Sequence, residues 1–208
     1  MKLVNVLDSE LREEALRRWK IAKKLAKRID GTIHGSIAAM VTEGLPRLPR
    51  DADIVVNWSL DEFMEWFEIF EGEPWRRVIL GRTDEDTQRN GGPRYGFVLV
   101  ADGGFSINIV GLKMDPNRVM DGAKIFFEKS KYVSDKISKI RGRKKANVLD
   151  LLDLQYFGED IKDVIKLIPK SAYSKLLRET YDFTTLIPRE NQWFLEFLRK
   201  YVGEKVDS

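Results

Sequence analysis

The spacing of apolar residues changes once along this chain, near residue 115, and that change limits what the chain can fold into. Before it, the β-branched and aromatic runs Asp53–Trp58, Arg76–Gly81, Tyr95–Ala101 and Phe105–Leu112 alternate with helical stretches. From Pro116 onward apolar residues recur at helical spacing, with breaks at Gly142, Gly158, Pro169 and Pro188. A strand must bury one face and a helix one stripe. The chain therefore reads as an α+β domain over residues 1–115 followed by an all-helical domain over 116–208.

Local signals fill in the first half. Leu11, Ala15, Trp19, Ala22, Ala26 and Ile29 lie three or four apart, which predicts an amphipathic helix from near Ser9 to Asp30-Gly31. Thr32 to His34 reads as a short extended piece, and Ile37 to Glu43 as a short helix ended by Gly44. Ser59-Leu60-Asp61-Glu62 has capping-box spacing and opens a helix ending near Gly72. The aromatic set Trp58, Phe63, Trp66, Phe67 and Phe70 reads as core rather than a base-stacking surface. The polar loop from Arg82 to Arg94 is expected to be mobile, and His34 to be a packing or hydrogen-bonding residue.

Composition narrows the chemistry. The 208 residues include no cysteine and one histidine, His34. Disulfide scaffolds, cysteine-bound zinc, thiol catalysis and multi-histidine metal sites are excluded, so any metal is a hard cation held by oxygen. No apolar run approaches the ~20 residues of a membrane span, and Met1-Lys2-Leu3-Val4-Asn5 does not begin a signal peptide, so a cytoplasmic protein without membrane partners is expected. Charged residues at 33% and only three glutamines suggest a thermophile. The formal net charge of +3 conceals residues 116–145, where ten basic and three acidic side chains give +7. Within it Lys136, Lys139, Arg141, Arg143, Lys144 and Lys145 form a run without an acid. A helix C-terminus near Gly142 attracts such bases. Their number exceeds what capping requires and favours a polyanion-facing patch, either for nucleotide phosphates or for an RNA backbone.

The most informative stretch runs from Gly35 to Val56. On a strand Asp51 and Asp53 project to one face. Two adjacent carboxylates repel unless a cation or a shared proton lies between them, so the pair is either a metal site or a dyad. Upstream, Gly35-Ser36 opens a short helix whose N–H groups and serine hydroxyl can hold a phosphate. A phosphate-holding turn ahead of a dicarboxylate strand is what metal-assisted phosphoryl or nucleotidyl transfer requires.

These residues resemble the nucleotidyltransferase superfamily, whose signature is a Gly-Gly or Gly-Ser pair followed by an acidic-hydrophobic-acidic strand. Gly44-Leu45-Pro46-Arg47 leading into Asp51-Ala52-Asp53 is similar to the branch containing AbiEii-type toxins and their uncharacterised bacterial and archaeal relatives. The resemblance implies a mixed sheet with flanking helices and an all-helical C-terminal domain. It also implies a third carboxylate on a later strand, acting as base toward the acceptor hydroxyl. That place falls within Phe105–Val110, where the residue is Asn108. Downstream, Lys136 and the segment Leu149-Asp150-Leu151-Leu152-Asp153-Leu154 resemble this branch's helical motif, in which a lysine meets the nucleotide phosphates and an acidic helix braces the site.

The expected activity is therefore transfer of a nucleoside monophosphate from an NTP to an RNA or protein hydroxyl, with Mg2+ or Mn2+. Asp51 and Asp53 would hold the metal, and with Asn108 form the catalytic set. Gly35, Ser36, Arg47 and Lys136 would bind the nucleotide, in a cleft between the domains. Lys139, Arg141, Arg143, Lys144 and Lys145 would face a polyanion such as tRNA. An antitoxin or a second copy is a further expected partner. The alternative is a non-catalytic nucleotide- or RNA-binding member of the same fold, because of Asn108. A third reading is a partner-binding protein using the aromatic stripe Trp193, Phe194, Phe197, Leu198 and Tyr201.

Overall fold

The computed structural model describes residues 9–83, 88, 95–112, 114–144 and 146–206. Two compact units emerge: one of Glu13–Glu43 with Pro49–Phe127, the other of Gly44–Leu48 with Glu128–Ser208 and the segment ending at Arg12.

In the first unit, helix α1 (Ser9–Arg28) buries Ala15, Trp19, Ala22, Leu25 and Ala26, the stripe its spacing sets out. Strand β1 (Thr32–His34) leads directly into α2 (Gly35–Glu43), most of which is buried. Strand β2 (Asp51–Val56) follows, starting two residues before its apolar run does. Helix α3 (Leu60–Glu71) carries the expected reciprocal cap, with the Ser59 hydroxyl accepting from the Glu62 N–H and the Glu62 carboxylate accepting from the Ser59 N–H. Strands β3 (Arg77–Arg82), β4 (Tyr95–Val100) and β5 (Ser106–Gly111) follow. Most of the loop expected to be mobile lies outside the described residues.

The sheet does not stop at residue 115. Strands β6 (Arg118–Met120) and β7 (Ala123–Ile125) continue it, in the order β3-β4-β5-β2-β1-β7-β6. Pairing of β2 with β5 and of β1 with β7 is parallel, and the other pairs are antiparallel, so the sheet is mixed. The expectation that residues after 116 are all helical is thereby corrected. Each of these strands is three residues long, too short to register as a period, and Asp121-Gly122 between them takes positive φ at both positions to close the hairpin.

The aromatic set behaves as core. Phe63 and Phe70 are buried and, with Trp58 and Phe67, pack around the Phe97 ring of β4, while Trp66 stacks on Trp58 and Phe70. In the second unit α4 (Lys129–Arg143), α5 (Val148–Tyr156), α6 (Ile161–Lys166), α7 (Tyr173–Asp182) and α8 (Trp193–Val206) enclose a separate core. Leu151, Leu154, Ile165, Phe194, Leu198 and Val202 are fully buried there. No helix among the described residues is long and apolar enough to cross a membrane.

Candidate functional site

Sheet register brings the sequence-marked residues of the first unit into one row. His34 of β1 pairs antiparallel with Asp53 of β2, and Asp53 pairs in parallel register with Asn108 of β5. Directly paired residues point to the same face, so His34, Asp53 and Asn108 line up across three neighbouring strands. Asp51 lies two residues back on the same face, beside Ser106. Asp51, Asp53 and Asn108 are each half-buried, while Ala52, Ile54, Ile107 and Ile109 on the opposite face are fully buried. The alternation polar-out and apolar-in holds the row on the accessible side.

Gly35 brings the helix start against this row. Its φ is +74°, a conformation that favours glycine, and a Cβ there would lie 2.5 Å from Asp53 Oδ2. The carboxylate thus sits against the first residue of α2, whose first turn contains no acid of its own. The positive end of the helix favours the negative charge of Asp53. Ser36, half-buried, follows in the same turn.

Asn108 occupies the place of the implied third carboxylate and does something a carboxylate could not. Its Nδ2 donates to Asp53 Oδ1 at 2.8 Å. An aspartate there would set two negative charges side by side, whereas the amide neutralises an acceptor without adding charge. Arg50 lies near Asp51, with Nη2 to Oδ2 at 3.6 Å. His34 stacks on Phe126, with centroids 5.8 Å apart and an interplanar angle of 8°, which matches the packing reading.

Two carboxylates on one face suit magnesium, which is commonly bound through one or two carboxylates and completed by substrate phosphates and water. Among the described residues no third acid or histidine joins them in a metal-binding group. The donor set therefore fits a metal that arrives with a phosphate ligand, and does not form a closed all-protein cage.

Arg47 and Lys136 belong to the second unit and form a different constellation. Arg47 Nε and Nη2 donate to the two Asp153 oxygens at 2.6 and 2.7 Å, and Nη1 donates to the Leu48 carbonyl at 2.9 Å. The Tyr132 hydroxyl donates to Asp153 Oδ2 at 2.7 Å. The Lys136 ammonium pairs with Asp150 and stands 3.1 Å from Asp153 Oδ2, over the Tyr132 ring. Asp153 is 0% exposed and Arg47 4% by side chain. Burial pulls the Arg47 and Lys136 pKa values down, but the Asp153 carboxylate outweighs it and both end above their ordinary values. Burial pushes Asp153 up, and Arg47 with Lys136 pull it below the carboxylate range. Burial first, and Asp153 second, raise the Tyr132 phenol.

Two cations and two anions thus cancel in a nearly dry node. Arg47, expected to read a nucleotide phosphate, has its guanidinium buried and bound to Asp153 within its own unit. Lys136, expected to meet phosphates, is engaged with Asp150 and Asp153. The residues the sequence reading missed as a unit are Tyr132 and Asp153. The Asp150-Leu151-Leu152-Asp153 spacing, three apart on a helix, carried the signal that both acids share a face.

The basic run closes α4. Arg141 and Arg143 lie in its last turn and Lys144 caps it at φ +48°, where a cation complements the helix dipole. Lys139, Arg141, Arg143 and Lys144 are exposed, and Lys145 lies outside the described residues.

No protein-family model and no curated protein matches the chain. Two solved structures from Helicobacter pylori are similar over nearly the full length. JHP933 is 14% identical, with 94% of each chain covered and a TM-score of 0.44. A candidate nucleotidyltransferase is also 14% identical, with 97% of this chain and 98% of that one covered, and a TM-score of 0.44.

Proposed function

We propose that this chain is a nucleotidyltransferase-like protein that binds a metal–NTP complex on the row Gly35, Ser36, Asp51 and Asp53. The observation that carries the reading is the approach of Asp53 to Gly35. A carboxylate strand with a second acid on the same face is packed against a glycine-opened helix N-terminus, so phosphate and metal donors converge within one turn. Asp51 and Asp53 would hold Mg2+ or Mn2+, which supplies charge neutralisation on the NTP phosphates. The Gly35 and Ser36 N–H groups with the serine hydroxyl would orient those phosphates. Transfer of a nucleoside monophosphate to an RNA or protein hydroxyl is the proposed outcome.

A second reading, binding without turnover, is favoured by one observation. The Asn108 amide donates to Asp53, and asparagine cannot take the acceptor's proton. One assay separates the two. The protein is incubated with Mg2+ or Mn2+, each labelled NTP, and total tRNA or cell protein, beside the Asp51→Ala/Asp53→Ala variant. Aspartate-dependent label transfer supports the enzyme. Metal-dependent NTP binding without transfer supports the binder, and a gain of transfer in Asn108→Asp would identify the missing group. Absence of both NTP binding and transfer removes the proposal.

A further inference from the structure

The helical unit contains an open cavity of about 440 Å³ lined by Gln155, Gly158, Glu159, Ile161, Trp193 and Phe197, with Asp160 and Lys162 completing its wall. Its size lies within the ordinary range for ligand pockets. It is far in sequence from the metal-nucleotide row and belongs to none of the chemistry proposed there.

Several observations give this cavity a chemical character. Trp193 is 53% exposed although it starts a helix whose neighbouring Phe194 is fully buried. Trp193, Phe197 and Tyr201 recur at four-residue spacing and so share one side of α8, with Phe197 stacked on Tyr201. The charged groups are sorted unevenly. Asp160 is occupied in capping α6, accepting from the Lys162 and Asp163 N–H groups. The Lys162 ammonium lies over the Tyr201 ring, 5.9 Å from its centroid. Glu159 is half-buried, and neither its carboxylate nor the Gln155 side-chain amide has a partner among the described residues. The wall therefore offers a half-exposed indole, an uncommitted carboxylate and an amide, with two acids against one lysine.

We propose that this cavity takes the side chain of an arginine from a protein partner. A guanidinium stacks flat on an aromatic ring and donates two parallel hydrogen bonds to a carboxylate, and Trp193 with Glu159 offers both. Gln155 supplies an acceptor for a remaining N–H. An ammonium satisfies the charge but neither the stacking nor the fork.

The test is titration of the full-length protein with a capped Gly-Arg-Gly peptide, its citrulline counterpart and the lysine analogue, followed by calorimetry. Citrulline keeps the shape of arginine and removes its charge. The arginine peptide is expected to bind at least ten-fold tighter than the citrulline peptide. Glu159→Gln is expected to abolish that preference, and Trp193→Ala to weaken the arginine peptide by a similar factor. Glu159→Gln should not shift the melting temperature, whereas Trp193→Ala gives up an edge contact with buried Phe194 and should lower it slightly without unfolding the chain at the temperature of the titration. The proposal falls if the arginine peptide does not bind at millimolar concentration, if citrulline binds equally, or if either variant leaves affinity unchanged. Free arginine binding as tightly as the peptide overturns the protein-partner assignment in favour of a small molecule. All these readouts are independent of nucleotide binding or transfer.

Discussion

Two pairs of aspartates, Asp51/Asp53 and Asp150/Asp153, show how the same residue type takes opposite roles. Each spacing puts both carboxylates on one face of its element, two apart on a strand and three apart on a helix. The strand pair stays half-exposed, with the Asn108 amide donating to Asp53 and Arg50 near Asp51. The helix pair is closed over by Arg47, Lys136 and Tyr132 until Asp153 has no exposure at all. A buried ion pair is sensitive to losing one partner, whereas a half-exposed carboxylate on a sheet face keeps room for a ligand. The difference lies in which cations the chain brings near, and sequence spacing does not encode that.

The largest expected effect tests the closed pair. Asp153→Ala leaves the buried Arg47 guanidinium without its carboxylate and should lower stability in a denaturant titration by about 3–5 kcal/mol, with a smaller loss in Arg47→Ala, where Lys136 and Tyr132 still hold Asp153. Asp51→Ala, by contrast, should stay within about 0.5 kcal/mol of wild type. If the two sides lose equally, the contrast between them is wrong.

The next effect sharpens the open pair. Gly35→Ala forces a side chain into positive φ, costing about 1–2 kcal/mol, and sets its methyl against Asp53. NTP affinity should therefore fall more than the stability loss alone explains. Equal NTP affinity in Gly35→Ala would show that the approach of helix to carboxylate has no part in binding.

A third effect is read from pH. The folded-state pKa of Asp153 is depressed by Arg47 and Lys136 against the opposing push of burial. Its contribution to stability is therefore complete above the unfolded value near 3.8 and is lost as pH falls through the lower folded value. Glu14, hydrogen-bonded first to Arg17 and also to Arg18, is held at about 2 and behaves alike, losing its contribution between about 4.5 and 2. Melting temperature followed from pH 5 to pH 2 should drop in wild type and drop less in Glu14→Gln. It should flatten further in Asp153→Asn, once that variant's own lower starting point is subtracted. A slope unchanged in both would mean that neither carboxylate is held below its unfolded value.

Legibility followed period and locality. The stripe of α1, the cap at Ser59 and a strand through Asp53 could be read because each depends on neighbours in sequence, although the strand spans Asp51–Val56 rather than Asp53–Trp58. Asp53 facing Asn108 was readable from strand order, since a register fixed by alternating burial leaves few ways to pair β2 with β5. Two things were not readable. The hairpin of β6 and β7 is too short for a pattern, so periodicity places the seam near residue 115 while the two compact units divide between Phe127 and Glu128. The pairing of Arg47 with Asp153, 106 residues away, is one that only the folded chain reveals.

The smallest effect concerns the basic end of α4. Replacing Lys139, Arg141, Arg143 and Lys144 together by alanine should move stability by no more than about 1 kcal/mol, since each is exposed near a helix end. If the cluster faces RNA, the same variant should show a shallower dependence of RNA affinity on salt. An unchanged salt slope would leave these residues with the helix dipole alone.

Parallel pairing of β2 with β5 also sets when the proposed site can exist. Asp53 and Asn108 are 55 residues apart, and β1 joins β7 across a still longer stretch. Loops of that size close slowly, because ordering the chain precedes the contacts that reward it. A nascent chain that has not yet emerged past β5 holds both aspartates but not the Asn108 amide that donates to Asp53. Any metal–nucleotide binding by this protein should therefore appear late in synthesis, with the closing of the sheet rather than with the folding of the segment that carries the acids.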